Sequence, residues 1–145
     1  MVEIAEATET TDELVEAVAR LVGELSSSAA APGAREVERI VASPASRLLV
    51  ARDGERIVGM LTLVTFPIPT GIRALIEDVV VEGAARGRGI GQELTRAALR
   101  LAAQLGTRTV DLTSRPSREA ANRMYVKLGF TQRETNVYRY EERGS

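Results

Sequence analysis

Residues 85–94 read ARGRGIGQEL, with arginines at 86 and 88, glycines at 87, 89 and 91, and a helical pattern starting at once. Glycines let backbone close around an anion, backbone N–H groups and a helix N-terminus present positive ends, and arginines add full charges. The chemistry that this spacing serves is phosphate binding. Just upstream, ALIEDVVV (74–81), within IRALIEDVVVE (72–82), sets two carboxylates, Glu77 and Asp78, in an otherwise apolar run. An acid in such a strand is costly unless it is paired or functional. The chain has no cysteine and no histidine. That excludes thiolate nucleophiles, disulfides, serine–histidine triads and histidine metal sites, so no metal is expected. Proton transfer near neutral pH falls to carboxylates, tyrosines, the single lysine Lys127, or water.

Three phosphate loops compete for the glycine stretch. The nucleotide P-loop needs lysine and Ser/Thr after its last glycine, whereas Gln92-Glu93 follow Gly91. The dinucleotide fingerprint, counted from Gly87 and Gly89, needs glycine at 92 and finds Gln92. Asp111 does end the next strand, where a ribose-binding acid would stand, but the loop lies late, behind a meander of strands. What remains is Arg86-x-x-Gly89-x-Gly91 between a long apolar strand and a helix, a clamp for a pyrophosphate. The plain alternative makes Arg86 and Arg88 solvated surface charges.

The elements that must position these residues follow from periodicity. Residues 2–7 alternate like a half-buried strand. Residues 10–25 open with capping residues and early acids, and Leu14, Val18, Leu21, Val22 and Leu25 follow helical spacing. Residues 26–33, SSSAAAPG, are a connection, and 34–42 form a short helix with Val37, Ile40 and Val41 on one face. Residues 47–52 and 56–66 flank Asp53-Gly54 as a hairpin, 67–71 turn, and 72–82 form a strand deep in a sheet. Alternation puts Leu75, Glu77, Val79 and Val81 on one face, and Ile76, Asp78 and Val80 on the other. A helix then runs to Leu105 with Ile90, Leu94, Ala98, Leu101 and Leu105 buried, and Gly106 stops it. Residues 107–114 are a strand. Ser117 caps a helix whose buried face is Ala121, Met124, Tyr125 and Leu128, with Gly129 ending it, and one or two strands close the chain from Phe130 through VYRYEE (137–142). The order is β-α-α-β-β-β-α-β-α-β-β, an α/β fold with a mixed, mostly antiparallel sheet flanked by helices. At 145 residues this is one domain, 1–145.

Two segments at this separation, IEDVVVEGAARGRGIG and REAANRMYVKLGF, resemble the GNAT superfamily of N-acetyltransferases. The likeness is close over 72–130, and the order of elements fits the whole chain. The second segment matches the family's helix that ends in a Tyr-x-x-x-Gly-Phe-like run, here Tyr125 to Phe130. The resemblance implies that Arg86, Gly87, Arg88, Gly89, Ile90 and Gly91 hold the pyrophosphate of acetyl-CoA. It implies that the backbone of Val79, Val80 and Val81 bonds the pantetheine arm like an added strand. Asn122 would contact the cofactor, and Tyr125 would set its hydroxyl near the thioester sulfur. This chain departs from the family at Glu82-Gly83-Ala84, where a proline is frequent.

Acetyl transfer to an amine requires the amine to arrive uncharged, although a lysine-like amine has a pKa near ~10.4. Glu77 is the candidate base; the alternative is an ion pair with an arginine. Asp78 reads as structural. Tyr125 is the candidate acid for the departing thiolate; the alternative is a core aromatic against Phe130. Asn122 is alternatively a solvated helix residue. Without cysteine no acetyl-cysteine can form, so attack is direct, in a ternary complex.

Charge is unevenly divided. Residues 1–82 hold 14 acids and 7 bases, a net of −7, and residues 83–145 hold 6 acids and 12 bases, a net of +6. A basic half starting at the glycine stretch suits an anionic ligand there, and the acidic half leans toward a cationic amine. The acceptor is a small-molecule amine or a protein amine. Aromatics make up 3% and crowd near the end, poor material for stacking nucleic acid. No apolar run approaches the ~20 residues of a membrane span, and the acidic start is no secretion signal. The expectations are a cytoplasmic protein with no nucleic-acid or membrane partner, and a homodimer is possible from the family. An alternative function is a catalytically silent acetyl-CoA-binding sensor or interaction module.

Overall fold

The computed structural model describes residues 2–142 and divides into two compact units that meet in sequence at Thr113/Ser114. The first carries a five-stranded sheet in the order β1-β2-β3-β4-β5, formed by Val2–Glu6, Ser46–Asp53, Arg56–Ile68, Gly71–Val81 and Thr109–Asp111. The first three pairings are antiparallel, and β4 runs parallel to β5. The parallel pair needs a crossover, supplied by helix α3, Ile90–Gln104. Gly54 takes a positive φ of 62° in the β2–β3 hairpin turn, which a two-residue loop between twisted strands demands.

Helices α1 (Asp12–Leu25) and α2 (Ala34–Ala42) begin as their sequences dictate. The Thr11 hydroxyl accepts from the Leu14 N–H at 3.1 Å, and the Glu36 carboxylate accepts from the Gly33 N–H at 2.7 Å. Their apolar stripes, Leu14, Ala17, Val18 and Leu21 with Val37, pack on Leu48, Val50, Ile57, Met60 and Val80 from one face of the sheet. The opposite face receives α3, which touches β2, β3 and β4. A Cβ on Gly59 would meet the Val80 carbonyl oxygen at 3.2 Å and Leu94 Cδ1 at 3.3 Å, so bare backbone at 59 lets α3 approach. Among the described residues no helix is long and apolar enough to cross a membrane.

The second unit holds helix α4, Glu119–Lys127. The element order expected through this helix is the one observed. Three local expectations change. The strand expected over 107–114 is confined to Thr109–Asp111. Ser117 does not cap α4; Arg118 is the N-cap, with no side-chain bond. The closing strands do not form over 130–142 among the described residues. Val137, Tyr138 and Tyr140 are 74%, 86% and 86% exposed, and alternation without a sheet to bury its apolar side leaves backbone groups to water.

The largest correction concerns β4. Met60 pairs with Val80 and Thr62 with Glu77, so two residues, Asp78 and Val79, oppose Leu61 alone. Asp78 sits at φ +50°, the only non-glycine residue with positive φ among those described. This is a β-bulge, and it inverts the side-chain parity beyond it. Glu77 and Val80 therefore share the face of α1 and α2, while Ile76 and Val81 share the face of α3. The unbroken alternation over 75–81 does not hold.

Candidate functional site

The loop between β4 and α3 starts as a single turn of 3₁₀-helix, Gly83–Ala85, and passes through Arg86 to Gly89. Gly87 and Gly89 adopt φ of +82° and +77°, which L side chains rarely adopt. A Cβ on either would meet no atom within 4 Å, and one on Gly91 would meet only Val81 Cγ2 at 3.9 Å. These glycines set backbone conformation and leave open space in front of it. Gly89 is the N-cap of α3 and supplies no side-chain bond; the first amide to find a carbonyl there is Glu93, to Gly89 at 3.0 Å. The amides of the first turn thus face outward unpaired, at the positive end of the helix dipole.

The two arginines are held differently. Arg86 Nε donates to the Val81 carbonyl at 3.1 Å, and its Nη2 lies 3.5 Å from Glu24. Arg88 Nη1 donates to Asp53 Oδ2 at 2.7 Å. That bond raises the Arg88 pKa and lowers that of Asp53. Both arginines are exposed, as the plain alternative has them, but each is oriented by a carboxylate partner. Val79 sits in the bulge, Val80 is buried, and Val81 lies against Gly59 and Gly91. β4 pairs with β5 only over Arg73–Leu75, so the edge carrying Val79, Val80 and Val81 has no β5 neighbour.

Glu77 is exposed beside the bulge and makes no ion pair or hydrogen bond among the described residues. The arginine pairing weighed for it belongs instead to Glu82, one step past the strand. Glu82 is 8% exposed. It accepts from Arg20 Nη1 at 2.6 Å and from Arg56 Nε at 3.1 Å, and Arg20 Nη2 also donates to the Ile57 carbonyl at 3.1 Å. Sequence reasoning missed this cluster. Its one local signal is an acid ending an apolar strand.

In the second unit the run from Tyr125 to Phe130 has a definite shape. The Phe130 N–H donates to the Tyr125 carbonyl at 3.0 Å, the Gly129 N–H donates to the Val126 carbonyl at 3.0 Å, and Gly129 has φ +106°. These are the paired bonds of a Schellman motif. Its apolar contact is the edge-on packing of Tyr125 on Phe130, with ring centroids 5.6 Å apart. The tyrosine–glycine–phenylalanine spacing is therefore a helix stop that fixes the tyrosine ring. Tyr125 is buried, its hydroxyl has no hydrogen-bond partner among the described residues, and burial raises its pKa above 10.0 against a small opposing effect of Arg118. Asn122 Nδ2 donates to the Arg115 carbonyl at 3.0 Å, so it is half-buried and engaged rather than simply solvated. Asn122, Arg123, Val126 and Lys127 line an open depression of about 400 Å³.

A glycine loop on an uncapped helix N-terminus thus stands next to a bulged strand whose end has no β5 neighbour. Residues 15–130 match the Acetyltransferase (GNAT) family, and the chain belongs to that family. It is 46% identical over 59 residues to the mycothiol acetyltransferase of Amycolatopsis mediterranei (strain U-32), a match covering 41% of this chain and 20% of that protein. The match thus spans about a fifth of the length of that relative. A transcriptional regulator from Bacillus halodurans C-125 superposes with a TM-score of 0.79 at 33% identity, covering 97% of this chain and all of the other. An aminoglycoside acetyltransferase from an uncultured soil metagenomic sample, solved with trehalose, superposes with a TM-score of 0.85 at 20% identity, over 97% of this chain and 95% of the other. That last likeness is one of fold.

Proposed function

We propose that this protein is an acetyl-CoA-dependent N-acetyltransferase that moves an acetyl group to a primary amine by direct attack in a ternary complex. The observation that carries the reading is the open backbone cradle at Gly87, Gly89 and Gly91 on the uncapped start of α3. Bare amides, a helix dipole and two arginines fit a pyrophosphate. The edge at Val79, Val80 and Val81, which has no β5 neighbour, fits the amide-bearing pantetheine arm, which bonds as an added strand would. Asn122, beside the depression on α4, is assigned to the same cofactor.

Acetyl-CoA supplies the acetyl group as a thioester. Glu77, exposed and uncommitted, takes the proton that the acceptor ammonium must lose, directly or through water. The amine nitrogen then bonds to the carbonyl carbon as the carbon–sulfur bond breaks. Tyr125, whose hydroxyl pKa burial raises, gives its proton to the departing sulfur, and the second proton that the nitrogen sheds on becoming an amide returns through water to the Tyr125 phenolate. The acceptor is a small-molecule amine or a protein amine, and we place the reaction in the cytoplasm.

The test is steady-state kinetics with thiol release as the readout. Tyr125→Phe should lower kcat by about a hundredfold, the scale of a general acid, with the KM for acetyl-CoA little changed. An unchanged kcat removes Tyr125 from the mechanism. Glu77→Gln should lower kcat by about a hundredfold, the scale of a general base, and an unchanged kcat assigns the base elsewhere. Because the pKa of Tyr125 is raised, its deprotonation should cause no loss of kcat below about pH 10.

The 33% identity with a transcriptional regulator favours a second reading, an acetyl-CoA sensor without turnover. Tight acetyl-CoA binding with no thiol release across a panel of small amines and protein substrates would establish it over the first.

A further inference from the structure

We infer that Glu24, on the last turn of α1, is the positioning residue of the donor loop, holding it through the Gly83 amide. The inference rests on the reading of residues 86–91 as the acetyl-CoA clamp. An acid on the last turn of a helix faces the negative end of the dipole, and α1 has no basic residue in that turn to offset it. The compensation is tertiary. One oxygen of Glu24 accepts the Gly83 N–H at 2.8 Å and faces Arg86 Nη2 at 3.5 Å. One turn earlier on the same helix, Arg20 grips Glu82, the residue before Gly83. Two consecutive residues where β4 becomes the loop are thereby fastened to α1.

The consequence falls on Arg86. Its Nε is fixed on the Val81 carbonyl and its Nη2 faces Glu24, which leaves Nη1 without a partner among the described residues. The guanidinium is oriented before any ligand arrives, with one edge uncommitted. Orientation in advance strengthens binding by lowering the ordering cost. Without Glu24 the Gly83 amide loses its bond, and the loop start gains the freedom that a glycine brings.

The geometry also supplies a rescue. Gly83 is the first residue of its 3₁₀ turn, and Glu82 before it is extended at φ −61°, ψ 149°. That is the position and the preceding conformation that proline favours. Proline at 83 gives up the N–H that Glu24 binds and fixes the same backbone covalently.

The experiment is a double-mutant cycle on the full chain, with acetyl-CoA affinity measured by titration calorimetry. Loss of one charge-assisted hydrogen bond predicts about tenfold weaker binding in Glu24→Ala. Glu24→Gln, which keeps an acceptor for Gly83 but not the charge, should stay within about threefold of wild type on the same scale. Adding Gly83→Pro to Glu24→Ala should recover most of the loss, whereas Gly83→Pro alone should change little. Amide exchange over residues 84–88 of the free protein should quicken in Glu24→Ala and slow again in the double variant. Wild type that binds acetyl-CoA while Glu24→Ala binds equally well overturns the inference alone. A Glu24→Ala defect that proline fails to repair also overturns it, because Glu24 would then act through something other than the Gly83 backbone. Wild type that does not bind acetyl-CoA at all overturns the reading of the clamp and the inference with it.

Discussion

Glu82 is the one buried charged residue among those described, and it shows how burial and pairing compete. Its carboxylate gives up water and gains two guanidiniums, one half-buried and one largely exposed. Removing one member of such a set leaves the others desolvated and unpaired, which is worse than never having built it. Glu82→Ala should therefore destabilise the protein by about 2 kcal/mol, discounted from a fully buried pair because Arg56 remains in solvent. Glu82→Gln, which still accepts hydrogen bonds, should cost less. Urea unfolding of the two variants checks this, and equal midpoints with wild type would show the cluster to be ornamental. The same residue marks a limit of legibility. The conformation of the glycine loop is legible in sequence because its demand is local: positive φ and bare amides need glycines at fixed offsets. The partners of Glu82 lie 62 and 26 residues away, and no local pattern announces them. Glu77 was the acid to notice, but its freedom, rather than its pairing, emerges only from the register.

At the scale of elements, the bulge in β4 was illegible for a related reason. VVV after Glu77-Asp78 reads as unbroken strand, and side-chain type says little about where a register shifts. Aspartate is one of the few residues other than glycine that tolerate left-handed backbone, so Asp78 is compatible with the bulge without signalling it. That gives Asp78 a conformational role and makes it separable from Glu77. Asp78→Gly should leave stability unchanged or slightly higher, while Asp78→Val, a branched side chain forced to φ near +50°, should lose about 1–3 kcal/mol. If the bulge opens the edge of β4 for the pantetheine arm, Asp78→Val should also weaken acetyl-CoA binding and Asp78→Gly should not. Thermal unfolding paired with titration reads both effects. A valine variant as stable as wild type would mean that the bulge adapts freely. The helices were easier to read than the terminal strands for the opposite reason. A helix satisfies its backbone within itself, whereas the alternation at 137–142 had no meaning without a sheet to receive it.

Across the whole molecule, the split of −7 and +6 between residues 1–82 and 83–145 is partly cancelled in the folded chain. Glu24 and Asp53 from the acidic half meet Arg86 and Arg88 from the basic half. Each pair is exposed enough to contribute little to stability; their weight is in where they hold the two guanidiniums. The rest of the basic half is not cancelled in this way. Arg96, Arg100, Arg115, Arg118 and Arg123 form no ion pair among the described residues. On the proposed function, Arg96 and Arg100, on the helix that the glycine loop opens, add an uncancelled positive field to the one an anionic donor meets, and that field is screened by salt. The Debye length shrinks from ~10 Å at 0.1 M ionic strength to ~3 Å at 1 M. The KM for acetyl-CoA should accordingly rise several-fold, on the order of three- to tenfold, between 0.05 and 0.5 M potassium chloride, with kcat nearly constant. Charge reversal at Arg96 and Arg100, which lie on α3 beyond its first turn, should flatten that slope without changing KM at high salt. If the steepness survives both reversals, the field comes from the clamp arginines alone. If KM ignores salt altogether, the basic half of the chain has no part in gathering its donor.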